Sequence, residues 1–259
     1  MHILVTNDDG VTAPGLLALA LAMRSFGKVS VLAPDRNWSA SGHVKTLHRP
    51  LRVREVHLAA DITAFSSDGA PSDCVALALM GILPEPVDLV VSGINPYANL
   101  GHDVTYSGTV TAAMEAAIGG LPAIAVSIDS PEDAVHPLDY LPAAEIARQV
   151  VETMQQNQLP PRMLLNVNVP YGPLDTIRGF QMTRQGLRIY RDALVRRLDP
   201  RGRPYYWIGG DAPTGVPEEG TDFGALAARC VSVTPIQLDL TAYPTLDVLN
   251  GWHWPSSNA

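Results

Sequence analysis

Two carboxylates stand side by side where the first apolar run of the chain ends, in Thr6-Asn7-Asp8-Asp9-Gly10. Like charges a few ångströms apart raise one another's pKa unless a cation is present. A hard divalent ion is the natural resolution, because carboxylate oxygens suit Mg²⁺, Mn²⁺ or Ca²⁺. The plain alternative is a turn, since Asn, Asp and Gly are ordinary turn residues and an Asp can cap a following helix.

Other oxygen donors follow later apolar runs. Ser39 and Ser41 lie in the loop after the second run, within Ala33-Pro-Asp-Arg-Asn-Trp-Ser-Ala-Ser-Gly-His43. A hydroxyl is an acceptable neutral ligand beside two carboxylates, and an ordinary polar loop is the alternative. A further run ends in Val91-Ser-Gly-Ile-Asn95, where the Asn95 amide oxygen can complete an oxygen set. Ser107-Gly108-Thr109 opens a helical pattern, and free backbone N–H groups at a helix start suit a phosphoryl group. Ser107 or Thr109 can equally be a plain N-cap, and both roles can hold together.

The elements that must position these groups alternate along the first two-thirds of the chain. Strands are expected at His2–Thr6, Lys28–Leu32, Ile62–Phe65, Asp88–Val91, Ala123–Ile128 and Met163–Val169. Helical patterns run over Pro14 to Phe26, Ser72 to Met80, Thr109 to Ile118 and Leu138 to Gln156. Nearly continuous apolar strands indicate a sheet covered on both faces. The alternation predicts an α/β protein with a Rossmann-like, doubly wound, mostly parallel sheet. In that fold Asp8, Asp9, Ser39, Asn95 and the Ser107 turn share the C-terminal edge of one sheet, where ligands bind.

Two stretches depart from the alternation. Lys45 to Leu58 alternates apolar and charged residues, as an exposed antiparallel strand or hairpin would. Residues 171–229 are rich in Gly, Pro and Arg and read as an extension or arm, either a lid or a device for oligomerisation. A single domain is expected over 1–259, with its core in 1–170 plus 230–240. Cys230 to Gln237 returns as a strand, and the tail 252–259 is expected to be loose.

Composition narrows the partners. The 259 residues carry a formal charge of -8, with a mean hydropathy of +0.08 and 46% hydrophobic residues. Such a field opposes nucleic acid and anionic membrane, so any phosphate must be bound locally. Cys74 and Cys230 have no ligand spacing and read as buried thiols in a reducing compartment. No signal-peptide pattern precedes the first strand, and no apolar stretch approaches the ~20 residues of a membrane span. A soluble cytoplasmic protein is expected.

Several phosphatase and hydrolase schemes are absent: the acids are adjacent rather than Asp-x-Asp, and there is no Gly-x4-Gly-Lys-Ser/Thr loop. Neither a Gly-x-Ser-x-Gly elbow nor a His-Glu-x-x-His helix occurs.

The motifs together resemble the SurE family, the survival-protein-E nucleotidases. The resemblance rests on Ile3-Leu-Val-Thr-Asn-Asp-Asp-Gly10, Ala33-Pro-Asp-Arg-Asn37, Pro71-Ser-Asp-Cys-Val75, Ser92-Gly-Ile-Asn95 and Asn99-Leu-Gly101. Tyr106-Ser-Gly-Thr-Val110, Glu219-Gly-Thr-Asp222 and Val231-Ser-Val-Thr-Pro235 complete it. It implies a metal-dependent phosphomonoesterase acting on nucleoside 5′- and 3′-monophosphates and on short polyphosphate. It further implies one divalent ion, Mn²⁺ or Mg²⁺, and a homodimer or homotetramer joined through swapped C-terminal segments. The metal ligands it implies are Asp8, Asp9, Ser39 and Asn95; the phosphate-binding set is Ser107, Gly108 and Thr109, with Asn95 beside them. Asp8 and Asp9 are the expected catalytic groups, Asp9 accepting a proton from water made nucleophilic by the ion. His43 and His102 are the nearest groups for protonating the leaving group, with surface or capping roles as the alternative. Tyr205, Tyr206 and Trp207 could stack on a base or pack an arm.

Departures are few. Pro96-Tyr97 replaces the usual glycine two residues after the Asn of the Ser-Gly-Ile-Asn motif, and Thr111 and Ala116 also stand where glycine is usual. None removes an expected ligand; Pro96-Tyr97 bears on substrate range.

Overall fold

The computed structural model describes residues 1–131 and 137–254. Its centre is β1 (His2–Thr6), five residues all buried because strands flank it on both sides and helices cover both faces. Beside it run β2 (Lys28–Pro34) and, on the other flank, β5 (Leu89–Asn95). Outside these lie β3 (Val53–Val56), β4 (Thr63–Ser67), β6 (Ala123–Asp129), β7 (Met163–Pro170), β8 (Phe180–Met182) and β11 (Val231–Gln237). The nine-stranded order is β3-β4-β2-β1-β5-β6-β7-β11-β8. From β4 through β7 every neighbouring pair is parallel. The chain leaves β1 for β2 on one side and later reaches β5 on the other. The gap between β1 and β5 is thus a topological switch point, where crevices open in such sheets. In register Thr6 faces Ser92, so Asp8 and Asn95 leave adjacent strands at the same end.

Two apolar layers sandwich the sheet. On one face α1 (Pro14–Met23) and α4 (Leu141–Gln156) cover Ile3, Val5, Val29 and Val91. α1 starts cleanly because Pro14 stands in its first turn, where no N–H is needed. Leu16, Leu19 and Met23 of α1 are fully buried, so truncating one to Ala costs about 2–5 kcal/mol. α4 is two-sided: Ala143, Ala147 and Val150 point inward, while Arg148 pairs with Glu145 and Glu152 at helical spacing outside. On the other face α2 (Pro71–Leu77) and α3 (Gly108–Ile118) cover Leu4, Leu32 and Val90. α3 is rich in small residues and can therefore lie close to the sheet and to α2.

The expected alternation is present with small shifts of boundary. The pattern at Pro14 to Phe26 splits into α1 and a 3-10 turn at Arg24–Phe26, and that at Ser72 to Met80 into α2 and a wide turn at Ala78–Ile82. Within Lys45 to Leu58 only β3 forms, antiparallel to β4 at the sheet edge. Of residues 171–229, a hairpin of β9 (Arg188–Leu198) and β10 (Pro204–Gly215) stands off the main sheet. α5 (Asp222–Ala227) packs on the core instead, and β8 joins the main sheet as an exposed edge strand. β8 pairs with β11, and the Thr183 hydroxyl bonds those of Ser232 and Thr234. α6 (Tyr243–Asn250) was not anticipated. Of the tail expected to be loose, Trp252 and Trp254 stack at 5.7 Å, and residues 255–259 lie outside the described ones.

Candidate active site

The end of β1 is a turn, as its composition allows, and the turn serves to aim the acids. Asn7 closes it in both directions, its Nδ2 donating to Gly10 O at 3.0 Å and its Oδ1 accepting from Gly10 N–H at 3.2 Å. Gly10 has φ +105° and packs its Cα against the Arg36 backbone, which suits glycine alone.

Asp8 is 4% exposed, and its carboxylate lies against the start of α3. Thr109 Oγ1 donates to Asp8 Oδ1 at 2.5 Å. Burial raises the Asp8 pKa above the ordinary carboxylate value, opposed by that hydroxyl and by backbone N–H groups that include those of Thr109 and Gly108. Gly108 permits the approach: a Cβ there would fall 2.6 Å from Asp8 Cβ and 2.9 Å from Oδ2. Burial, together with the Asp8 charge, pushes Asp9 up to about 7. Both acids are therefore raised, as adjacent carboxylates are expected to be, but desolvation is the larger cause for each and the charge effect acts on Asp9 alone.

The loop after β2 folds over this pair. Trp38 N–H donates to Asp8 O at 2.7 Å, and Asn37 Nδ2 donates to Asp9 Oδ1 at 3.2 Å. Asn37 Oδ1 accepts from Ser39 N–H at 2.7 Å, which ties the Ser39 backbone to the residue holding Asp9. In the same loop the Ser41 hydroxyl is buried with no hydrogen-bond partner among the described residues. At the end of β5, Asn95 Nδ2 donates to Tyr97 O at 2.6 Å, which leaves the amide oxygen available to a ligand. Ser107 is the N-cap of α3, its Oγ accepting from Val110 N–H at 3.1 Å. The capping reading therefore holds, and the hydroxyl of Thr109 is committed to Asp8.

Glu115 on α3 was missed. It is 8% exposed and binds His43 Nε2 and Lys45 Nζ, each at 2.9 Å, fastening the loop to the helix. The His43 hydrogen bond, then Lys45, hold the Glu115 carboxyl below its ordinary pKa. This contact commits His43 to Glu115. His102 is exposed on the 3-10 turn Gly101–Thr105. Tyr140, at the head of α4, was also missed; burial, with Asp9 next, pushes its hydroxyl up to about 12. Asn37 stood in a quoted motif without a role, whereas nothing local marks Tyr140. Tyr205, Tyr206 and Trp207 are exposed on β10, away from the sheet's own strands.

The donor set fits a hard divalent ion: two carboxylates, a hydroxyl and an amide, all oxygen, with the acids driven toward protonation where no cation neutralises them. No group of three or more His, Cys, Asp or Glu side chains suited to a metal occurs among the described residues, so the candidate set rests on the pair and its neutral neighbours.

A mostly parallel sheet with two acids at its switch point and a helix start against them defines a Rossmann-like α/β protein with oxygen donors gathered at one sheet edge. The family model described as "Survival protein SurE" matches residues 3–192. The chain belongs to that family. A Herpetosiphon aurantiacus protein named 5′-nucleotidase SurE is 55% identical over 242 residues, spanning 93% of this chain and 94% of its own. A Chloroflexus aggregans protein of the same name is 50% identical over 98% of this chain and 100% of its own. The crystal structure of the SurE protein from Aquifex aeolicus superposes with a TM-score of 0.81 at 39% identity, covering 96% of this chain and 98% of that one.

Proposed function

We propose that this chain is a metal-dependent 5′-nucleotidase that hydrolyses nucleoside monophosphates to nucleoside and phosphate. The observation that carries phosphoester chemistry is the contact of Thr109 with Asp8, which sets a helix start directly against an acid pair. The names of the relatives supply the nucleotide class. Nucleoside 3′-monophosphates and short-chain polyphosphate are proposed as further substrates.

Asp8, Asp9, Ser39 and Asn95 would hold one Mn²⁺ or Mg²⁺ per subunit. Such an ion supplies Lewis acidity toward a phosphoryl oxygen and lowers the pKa of water. Asp8 is held still by Thr109 and by the turn at Gly10. Asp9, pushed up to about 7, is poised to take a proton from attacking water at its carboxylate. Ser107, Gly108 and Thr109 are the proposed phosphate-binding set, with Asn95 beside them. The Ser107 hydroxyl keeps its hydrogen to donate while its oxygen accepts from Val110 N–H. The Thr109 hydroxyl, with the Gly108 and Thr109 N–H groups, holds Asp8 alongside.

The same reading includes a cytoplasmic location and a homodimer or homotetramer joined through C-terminal segments. No helix among the described residues is long and apolar enough to cross a membrane. Leu194, Trp207 and Ile208 on the hairpin and Leu240 and Val248 near the C-terminus expose apolar surface, which supports assembly there.

The test is a panel of phosphomonoesters, including AMP, GMP, 3′-AMP and p-nitrophenyl phosphate, assayed for phosphate release with Mn²⁺ or Mg²⁺. EDTA should abolish release and Mn²⁺ restore it. Asp8→Asn and Asp9→Asn should fold and be inactive; substantial release by both variants would sink the assignment.

A further inference from the structure

Asp103 lies four residues ahead of Ser107 and faces two ways. Its carbonyl oxygen accepts from the backbone N–H groups of Tyr106 and Ser107, both at 3.0 Å. Its carboxylate meets the foot of the hairpin: Arg188 Nε lies 2.8 Å from Oδ2, and the Tyr190 hydroxyl donates to Oδ1 at 2.5 Å. The Arg188 contact is an ion pair whose Nε–H is not aligned as a hydrogen bond. Both charged side chains are largely shielded, at 18% and 21% exposed.

The start of the same turn is fixed to the same foot. Gly101 N–H donates to Asp222 Oδ2 and Gly186 N–H to Asp222 Oδ1, each at 2.8 Å. Gly101 has φ +53°, and a Cβ there would fall 2.6 Å from Gly186 O. The Arg188 guanidinium also lies over the Phe223 ring at 5.7 Å, and that ring packs with Leu100 and Leu226. From Asp103 O the hydrogen bond to Ser107 N–H leads, two residues along the chain, to Thr109, whose hydroxyl reaches Asp8. Short contacts and two residues of helix start therefore join β9 to the acid pair.

We propose that Asp103 is a positioning residue through which the foot of the β9–β10 hairpin sets the phosphate turn Ser107–Thr109, so that the seating of the hairpin tunes phosphate affinity. The inference rests on the nucleotidase reading of that turn. Its physical basis is leverage. Asp103 O fixes the backbone at Tyr106 and Ser107, and a misplacement of about 1 Å at a binding turn can cost on the order of a hundredfold in rate. A structural role alone would hold the hairpin to the core and leave the turn's affinity unaltered.

The experiment compares Asp103→Asn, Arg188→Gln, their double variant and Tyr190→Phe, the last removing only a half-exposed hydroxyl and keeping the fold safe. For the Mn²⁺-loaded protein it reads inorganic phosphate binding by calorimetry, KM and kcat for p-nitrophenyl phosphate, and Tm. Asp103→Asn should weaken phosphate binding and raise KM in parallel, by roughly tenfold. Tyr190→Phe should move both in the same direction by about twofold to threefold, and the double variant should be no worse than the worse single, because the pair acts as a unit. Variants that lower Tm but leave phosphate binding and KM in place would overturn the coupling, as would simple additivity. A parent protein that releases phosphate from no phosphomonoester would instead overturn the nucleotidase reading, and this inference with it.

Discussion

The hydroxyl of Thr109 donates to Asp8 Oδ1 at 2.5 Å across 101 residues of chain. That bond joins the end of the first strand to the start of the helix after the fifth. It holds a buried carboxylate that has no other side-chain donor among the described hydrogen bonds. Thr109→Val keeps the volume and removes the donor, leaving a buried carboxyl oxygen short of one partner. Stability should fall by about 1–3 kcal/mol, read by urea denaturation, and phosphate release should fall with it. Thr109→Ser should retain most of both.

Gly108→Ala tests the close approach on which the site depends. The added Cβ meets Asp8 Cβ and Oδ2 at 2.6 and 2.9 Å, and Asp8 is too enclosed to swing aside freely. The expected outcome is a Mn²⁺ affinity weakened at least about tenfold, because ligand geometry rather than ligand identity is lost. Titration calorimetry checks this, and unchanged Mn²⁺ binding would contradict the assigned ligand.

Asp9 gives a pH dependence with a definite sign. Its folded pKa, about 7, lies above the ordinary 3.8. The stability linked to it is fully present below pH 3.8 and is lost as pH rises toward 7. In chelated protein, Tm should therefore decline across this window more steeply for the parent than for Asp9→Asn. The variant should become the more stable of the two near neutrality. Parallel Tm curves would show that Asp9 is not the strained acid.

Glu115 works in the opposite sense. His43 and Lys45 hold its pKa below the ordinary 4.5, so its stabilisation is present above pH 4.5 and is lost as pH falls through the lowered value. Glu115→Gln should destabilise the protein by about 1–2 kcal/mol at neutral pH, and the difference should shrink in acid. Because the clamp carries the loop of Ser39, Mn²⁺ affinity should weaken as well. Guanidinium titrations at two pH values, with and without the ion, provide the check.

What could be read from the residues follows from how local each signal is. β1, β2, β5, β6 and β7 are legible because burial on both faces demands continuous apolar runs; Asp8 and Asp9 stand just past such a run, Asn95 ends one, and Ser39 lies in the loop after another. Sheet order and register then bring the first acid and Asn95 to one end of neighbouring strands. The contacts that escaped are long-range and polar. Tyr190 and Asp103 are 87 positions apart, and neither stands in a periodic pattern. β8 docks through hydroxyls at Thr183, Ser232 and Thr234, which hydropathy does not register. α5 docks in part through the buried Asp222 carboxylate, so composition alone assigned both elements to the arm. The short run of α6 has no buried face to betray it.

The elevated Asp8 and Asp9 have a consequence for how a cation would arrive. Burial favours the neutral form of both carboxyls, and Asp9 sits at about 7, whereas a carboxyl must be bare to act as a ligand. Loading is then an exchange: each ion that enters expels protons into the medium. Acidity and metal supply become two handles on one equilibrium. Under the proposed metal dependence, ion affinity should fall as pH drops below about 7 and recover above it, with no change in the amount of protein.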